Sequence, residues 1–176
     1  VNIDANGMYW RTFMAITPFK LERYYSRYEF NARIMLSSSD CESLSMADLL
    51  SMASPASMEM WNSLRLGYTE TQGHPVLREE VTRLYASISP ADVMVAAPEE
   101  LIYIAMQTML EPGDHVISLS PAYQSLYEVA RSIGCSVSFW PLRKSGNSWM
   151  IDPEELAGLI NPRTRLLVIN FPNNQT

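Results

Sequence analysis

Few residues in this 176-residue chain are equipped for chemistry. The clearest signal is the stretch Ala97-Pro98-Glu99-Glu100, which reads as the start of a helix. Proline suits the first helical position, and acidic residues in the first turn suit the macrodipole. Such a start offers backbone N–H groups that no carbonyl of the helix can accept, a natural seat for a phosphate. Other candidates give less. His74 and His115 have no metal-ligand spacing. His74 directly precedes a Pro75 helix start and reads as a cap or solvated residue rather than a catalytic one. Cys41 and Cys135 lie far apart without a CxxC pattern, so packed thiols in a reducing compartment are expected, and a cytoplasmic protein is the default. Lysine occurs at Lys20, in an early helix, and at Lys144, in a turn.

The elements that position the phosphate seat follow from period and punctuation. Val93–Ala97 is a short apolar run, long enough for one buried strand. Residues 98–110 have helical spacing, with Leu101, Ile104, Ala105 and Leu110 recurring on one side. Glu111-Pro-Gly-Asp114 is a turn, and His115–Leu119 a second buried strand ending at Ser120-Pro-Ala-Tyr123. Strand, helix and strand make a βαβ unit, whose parallel strands need a crossover. In an open parallel sheet, ligands bind at the carboxyl ends of strands, here Ala96–Glu99 and Ser120–Tyr123.

The alternation continues. Residues 124–133 form a helix stopped by Gly134, and Cys135–Trp140 a strand. Residues 141–148 are a turn-rich crossing. Asp152 caps a helix with Pro153 at its first position, and Leu166–Asn170 is a fully buried strand followed by a polar loop. The class is therefore α/β: a parallel-type sheet with helices on both faces. An N-terminal helical segment precedes it. Residues 19–30 read as a helix with Leu21, Tyr24, Tyr25 and Tyr28 on one side, and 44–52 as another, capped by Ser43 or Ser45. Ala32–Leu36 can form a short strand, and residues 1–17 an extended arm. A third helix starts at Pro75, with Arg78 and Arg83 on solvated or interdomain faces.

Composition bounds the partners. The chain is 47% hydrophobic and 18% charged, which is globular. A net charge of −6 argues against non-specific binding to nucleic acid or an anionic membrane. No apolar run is long enough for a spanning helix.

Five motifs in order carry a resemblance. They are Gly67-Tyr-Thr with Gly73 and Leu77-Arg78, then Ala97-Pro-Glu-Glu100, Pro112-Gly-Asp114, Ser120-Pro-x-Tyr123, and Asn170-Phe-Pro-Asn-Asn-Gln-Thr176. Together they resemble the class I/II aminotransferases, fold-type I enzymes that use pyridoxal 5′-phosphate (PLP), over roughly residues 18–176. The resemblance implies a cofactor site. Ala97, Pro98 and Glu99 match the phosphate-binding turn, Tyr123 the aromatic that stacks on the PLP ring, and Asn174 the asparagine on its phenolic oxygen. Tyr68 matches a tyrosine that reaches the phosphate in the partner subunit of a homodimer. Ser38 and Ser39 lie where the family closes over the substrate carboxylate.

The same resemblance divides the chain. Residues 1–60 would be an arm and small-domain segment, and residues 61–176 the first half of the PLP-binding large domain, cut short. It implies transfer of an amino group from an amino acid to a 2-oxo acid. The family's Schiff-base lysine comes well after the Asn-Asn turn, so no catalytic residue is assigned here, and the chain is expected to be the N-terminal half of a longer enzyme, inactive by itself. The sequence departs from the family where a glycine-bearing turn becomes Ala96-Ala-Pro-Glu99, with no N–H at Pro98. Ala97-Pro-Glu-Glu100 and Leu21-Glu-Arg-Tyr-Tyr25 also look like capreomycidine-synthase-like cyclases. The alternatives to an aminotransferase are thus a PLP-dependent lyase, cyclase or oxidase, or a non-catalytic PLP-binding regulatory domain.

Overall fold

The computed structural model describes residues 2–3, 9–10, 16–37 and 41–173. Two compact units emerge, residues 1–33 with 97–176, and residues 34–96.

The first unit holds a parallel sheet in the order β4-β3-β7. Strand β3 (His115–Ser120) lies in the centre, between β4 (Ser136–Pro141) and β7 (Thr164–Val168). Helix α6 (Ser125–Ile133) is the crossover from β3 to β4. The register runs His115 to Ser136 through Ser120 to Pro141. On the other side the β3–β7 register slips between His115 and Val116, leaving Arg165 as the extra residue.

Alternation along β3 sends its side chains to two separate cores. Val116 packs with Met106 and Leu110 of α5 (Pro98–Met109 and its cap) and with Val129 and Ala130 of α6. Ile117 and Leu119 face the other way, against Trp140, Leu142 and the apolar side of α7 (Pro153–Leu159). The sheet thus has helices on both faces, and successive residues of β3 are buried because both its faces are covered. Gly134 ends α6 with φ +102, and an added Cβ would sit 3.3 Å from Pro112 Cβ.

His115 opens β3 and is buried. Its Nε2 lies 2.9 Å from Ser138 Oγ, and its Nδ1 2.8 Å from Thr164 Oγ1 and 2.9 Å from Asn161 Nδ2. One imidazole therefore ties all three strands at their amino ends. This is a structural histidine with its polar atoms satisfied.

Shorter elements flank this core. Two-residue strands β1 (Asn2–Ile3) and β2 (Tyr9–Trp10) pair antiparallel. Helix α1 spans Lys20–Tyr28, with the Tyr24 and Tyr28 rings 4.8 Å apart. A hairpin of β5 (Arg143–Ser145) and β6 (Ser148–Met150) occupies the crossing predicted at 141–148, where Gly146 takes φ +59 in the turn.

The second unit contains α2 (Met46–Ser51), α3 (Pro55–Asn62), α4 (Pro75–Thr82) and a single tight turn at Pro90–Asp92. Ser45, not Ser43, caps α2 through Asp48 N. His74 caps α4, its Nδ1 accepting from Val76 N at 3.3 Å. Ser89 and Asp92 cap each other, and these hydrogen bonds hold the Asp92 carboxyl below its usual range.

Several expectations are corrected. Val93–Ala97 forms no strand among the described residues. Its apolar side chains serve the second unit instead: Val93 is buried, Val95 packs on Gly73, and Val95 N donates to Gln72 O at 2.9 Å. Ala32–Leu36 is also not a strand. β7 begins at Thr164 rather than Leu166, and it is not fully buried, because Arg165 and Leu167 on its second face stay exposed. In α5 the packed row is Ile102, Met106 and Leu110, while Ile104 faces out. Arg78 is no free surface charge. It donates to Pro90 O at 3.0 Å and Gln72 Oε1 at 2.9 Å, stapling two loops of its unit.

Two predictions follow from the core. Ile117→Ala is expected to cost about 2–5 kcal/mol in urea unfolding, since Ile117 is fully buried and the hole cannot collapse against a paired strand. Burial, helped by the Asp114 charge, pushes the Cys135 thiol up, so less thiolate is present at neutral pH. A thiol reagent should label exposed Cys41 at least about tenfold faster than Cys135, and the Cys135 rate should climb as pH is raised.

Candidate functional site

The start of α5 is built as the sequence predicts. Ala97 is the extended capping residue, Pro98 fills the first helical position, and Glu99 and Glu100 occupy the first turn. Leu101 N donates to Ala97 O at 3.1 Å, the first bond of the helix. No side chain caps this start among the described residues, so the N–H groups of Glu99 and Glu100 face out of the helix end. The Glu99 carboxylate turns aside, its Oε1 accepting from Ser125 Oγ at 3.1 Å. Ser125 is the first residue of α6, so the starts of α5 and α6 meet just beyond the carboxyl end of β3.

The loop after β3 is held from three directions. Leu142 N donates to Ser120 O at 2.7 Å, and Leu126 N to Tyr123 O at 3.1 Å, which closes the turn into α6. Asn173 Nδ2 donates to Pro121 O at 3.0 Å, so the loop that follows β7 is fastened onto the loop that follows β3. Gln124 accepts from Lys20 N at 2.9 Å and donates to Pro18 O at 3.4 Å, docking the start of α1 beside Tyr123. Tyr123 is half-buried. The Ser120–Pro121 and Phe171–Pro172 peptides are both cis.

Ala97, Pro98, Glu99 and Tyr123 therefore converge within one unit. Asn174, Ser38 and Ser39 lie outside the described residues. Tyr68 belongs to the other unit and is fully exposed there. Lys144 sits on the exposed hairpin strand β5. Lys20 opens the early helix, as read from sequence, and its backbone N–H donates to Gln124 Oε1. The sequence reading missed Asn173, Gln124 and Ser125. Each is a small polar residue in a loop or at a helix start, where type alone does not distinguish a long-range tie from a local turn.

The donor set suits a phosphate beside a flat ring. It combines outward N–H groups at an uncapped helix start, an aromatic side chain in the adjoining loop, and an asparagine-bearing turn fastened to that loop. No cluster of three or more metal-ligating side chains occurs among the described residues, and no described helix is long and apolar enough to cross a membrane. A hollow of about 750 Å³ bordered by Glu111, Asp114, Arg163 and Arg165 opens at the opposite, amino ends of β3 and β7 and touches none of these residues.

Asn173→Ala is expected to lose about 1 kcal/mol of stability and, in hydrogen exchange, to deprotect the loops after β3 and β7 while leaving β3 itself protected.

Comparison with known proteins agrees with this arrangement. The profile of the family "Aminotransferase class I and II" matches residues 33–176. Aspartate aminotransferase of Pyrococcus horikoshii is 38% identical over 115 residues, 62% of this chain and 29% of that protein. Capreomycidine synthase of Streptomyces vinaceus is 30% identical over 168 residues, 91% of this chain and 41% of that enzyme. A solved PLP-dependent aminotransferase from Streptococcus suis superposes with a TM-score of 0.79 at 30% identity, covering 90% of this chain and 43% of that one. The chain spans less than half the length of each of these relatives. With an α5 start, a Ser-Pro-Ala-Tyr loop and an Asn-bearing turn joined at the carboxyl end of a parallel sheet, and with that family matched over residues 33–176, this chain belongs to the class I and II aminotransferases.

Proposed function

We propose that the protein carrying this chain binds PLP and moves an amino group from an amino acid to a 2-oxo acid. The observation that supports this most is the convergence of the uncapped α5 start with the Tyr123 loop and the Asn173 turn. In this reading the N–H groups of Glu99 and Glu100, with the positive end of the α5 dipole, hold the phosphate. Ala97 and Pro98 shape the turn, and Pro98 contributes no donor. Tyr123 holds the ring by stacking. Asn174 donates its amide to the phenolic oxygen. When bound, PLP supplies the electron sink for charge formed at the α-carbon of the amino acid.

Further assignments belong to the proposal. Tyr68 reaches the phosphate of the partner subunit in a homodimer, and its full exposure in its own unit suits a residue that serves a neighbour. Ser38 and Ser39 close over the substrate carboxylate. Residues 1–60 form the arm and small-domain segment, and residues 61–176 part of the large domain. The lysine that holds PLP is assigned to neither Lys20 nor Lys144. A cytoplasmic setting accords with two free thiols.

A second reading is a PLP-dependent cyclase. It is favoured by capreomycidine synthase, whose likeness extends over 91% of this chain.

The test is titration of the protein with PLP, followed by its absorbance. Tyr123→Ala should bind PLP about tenfold more weakly, with little change in unfolding temperature, if its ring stacks on the cofactor. Failure of the unsubstituted protein to bind PLP would sink the proposal. Incubating loaded protein with an amino acid and a 2-oxo acid then separates the readings: appearance of a new amino acid means transfer, and ring closure of the donor without a new amino acid means cyclisation.

A further inference from the structure

We propose that Ser125 is a positioning residue that keeps the Glu99 carboxylate off the N-terminus of α5, leaving the N–H groups there for a phosphate. The inference rests on the phosphate-binding reading given above and adds to it how this particular helix start becomes usable.

The problem it answers is electrostatic. Glu99 and Glu100 stand in the first turn of α5, where a carboxylate is attracted to the helix's own N–H groups and dipole. A free Glu99 side chain would fold back over that end. It would then compete with an incoming phosphate for the same donors and repel it as a like charge. No ion pair involving Glu99 occurs among the described residues.

Ser125 answers it by geometry. Its hydroxyl donates to Glu99 Oε1 at 3.1 Å, and the residue is only 2% exposed. Its backbone is fixed as the first residue of α6, packed beside α5, with Leu126, Tyr127 and Glu128 N–H groups bonded to Tyr123 and Gln124 carbonyls around it. The backbone that carries this hydroxyl is therefore held in place. A hydroxyl is a neutral donor, so it turns the side chain aside without bringing a charge to the helix start.

The experiment compares binding of PLP with binding of pyridoxal, which lacks the phosphate, by fluorescence titration of the protein and its variants. Ser125→Ala should weaken PLP roughly tenfold and leave pyridoxal unchanged. The double variant Ser125→Ala/Glu99→Gln should restore PLP binding, because the released side chain no longer carries charge. Glu99→Gln alone, with the Ser125 hydroxyl in place, should bind PLP at least as tightly as the unsubstituted protein. An unchanged PLP-to-pyridoxal ratio in Ser125→Ala would overturn the inference while the phosphate reading stands. Equal weakening of both ligands without rescue by Glu99→Gln would also overturn it, as the mark of a merely structural serine. A tenfold loss in Glu99→Gln alone would overturn it as well, by making the carboxylate itself a contributor. If the unsubstituted protein binds PLP and pyridoxal equally, the phosphate site itself is refuted, and Ser125 has nothing to position.

Discussion

Everything at the candidate site depends on the burial of β3. Val116, Ile117 and Leu119 are essentially without solvent exposure, because the strand is paired on both edges and covered on both faces. A strand so confined has one register and one direction available, since slipping by one residue would exchange its two cores. Its carboxyl end is therefore a fixed point. The loop that leaves it, Ser120–Gln124, inherits that position, and so do the α6 start and the residues tied to them.

The two ends of the sheet are built differently. At the amino end, His115 spends both ring nitrogens on Ser138, Thr164 and Asn161, a closed set of polar contacts that consumes its own chemistry. Buried polar groups with every partner in place make such an end rigid and unreactive. At the carboxyl end the ties run between backbone and amide: Asn173 to Pro121, Gln124 to Pro18 and Lys20, Leu142 to Ser120. These hold the loops in place, and among the described residues no side chain caps the start of α5. The amino end of the sheet is thus satisfied internally, whereas at the carboxyl end the start of α5 has no side-chain cap among the described residues. The proposed phosphate seat lies at the carboxyl end.

The sequence alone determined the local features. Pro98 and the two glutamates specify a helix start, Gly134 a stop and Asp152-Pro153 another start, because caps and proline act within one turn of the chain. The mostly apolar run His115–Leu119 specified a buried strand. The ordered motifs specified the family, and with it the residues at which to look.

Tertiary structure decided what each stretch packs against. Val93–Val95 has the composition of a strand, yet its side chains are claimed by Gly73 and the second unit, and a strand needs a partner that composition does not name. Leu166–Val168 looks as buried as β3 but alternates, since burial depends on what covers each face. That Asn173 is tied to the loop after β3, that Ser125 meets Glu99, and that Arg78 staples two loops are outcomes of chain segments distant in sequence arriving together. Short polar side chains serve equally well in local turns and long-range ties, so only the folded arrangement distinguishes them.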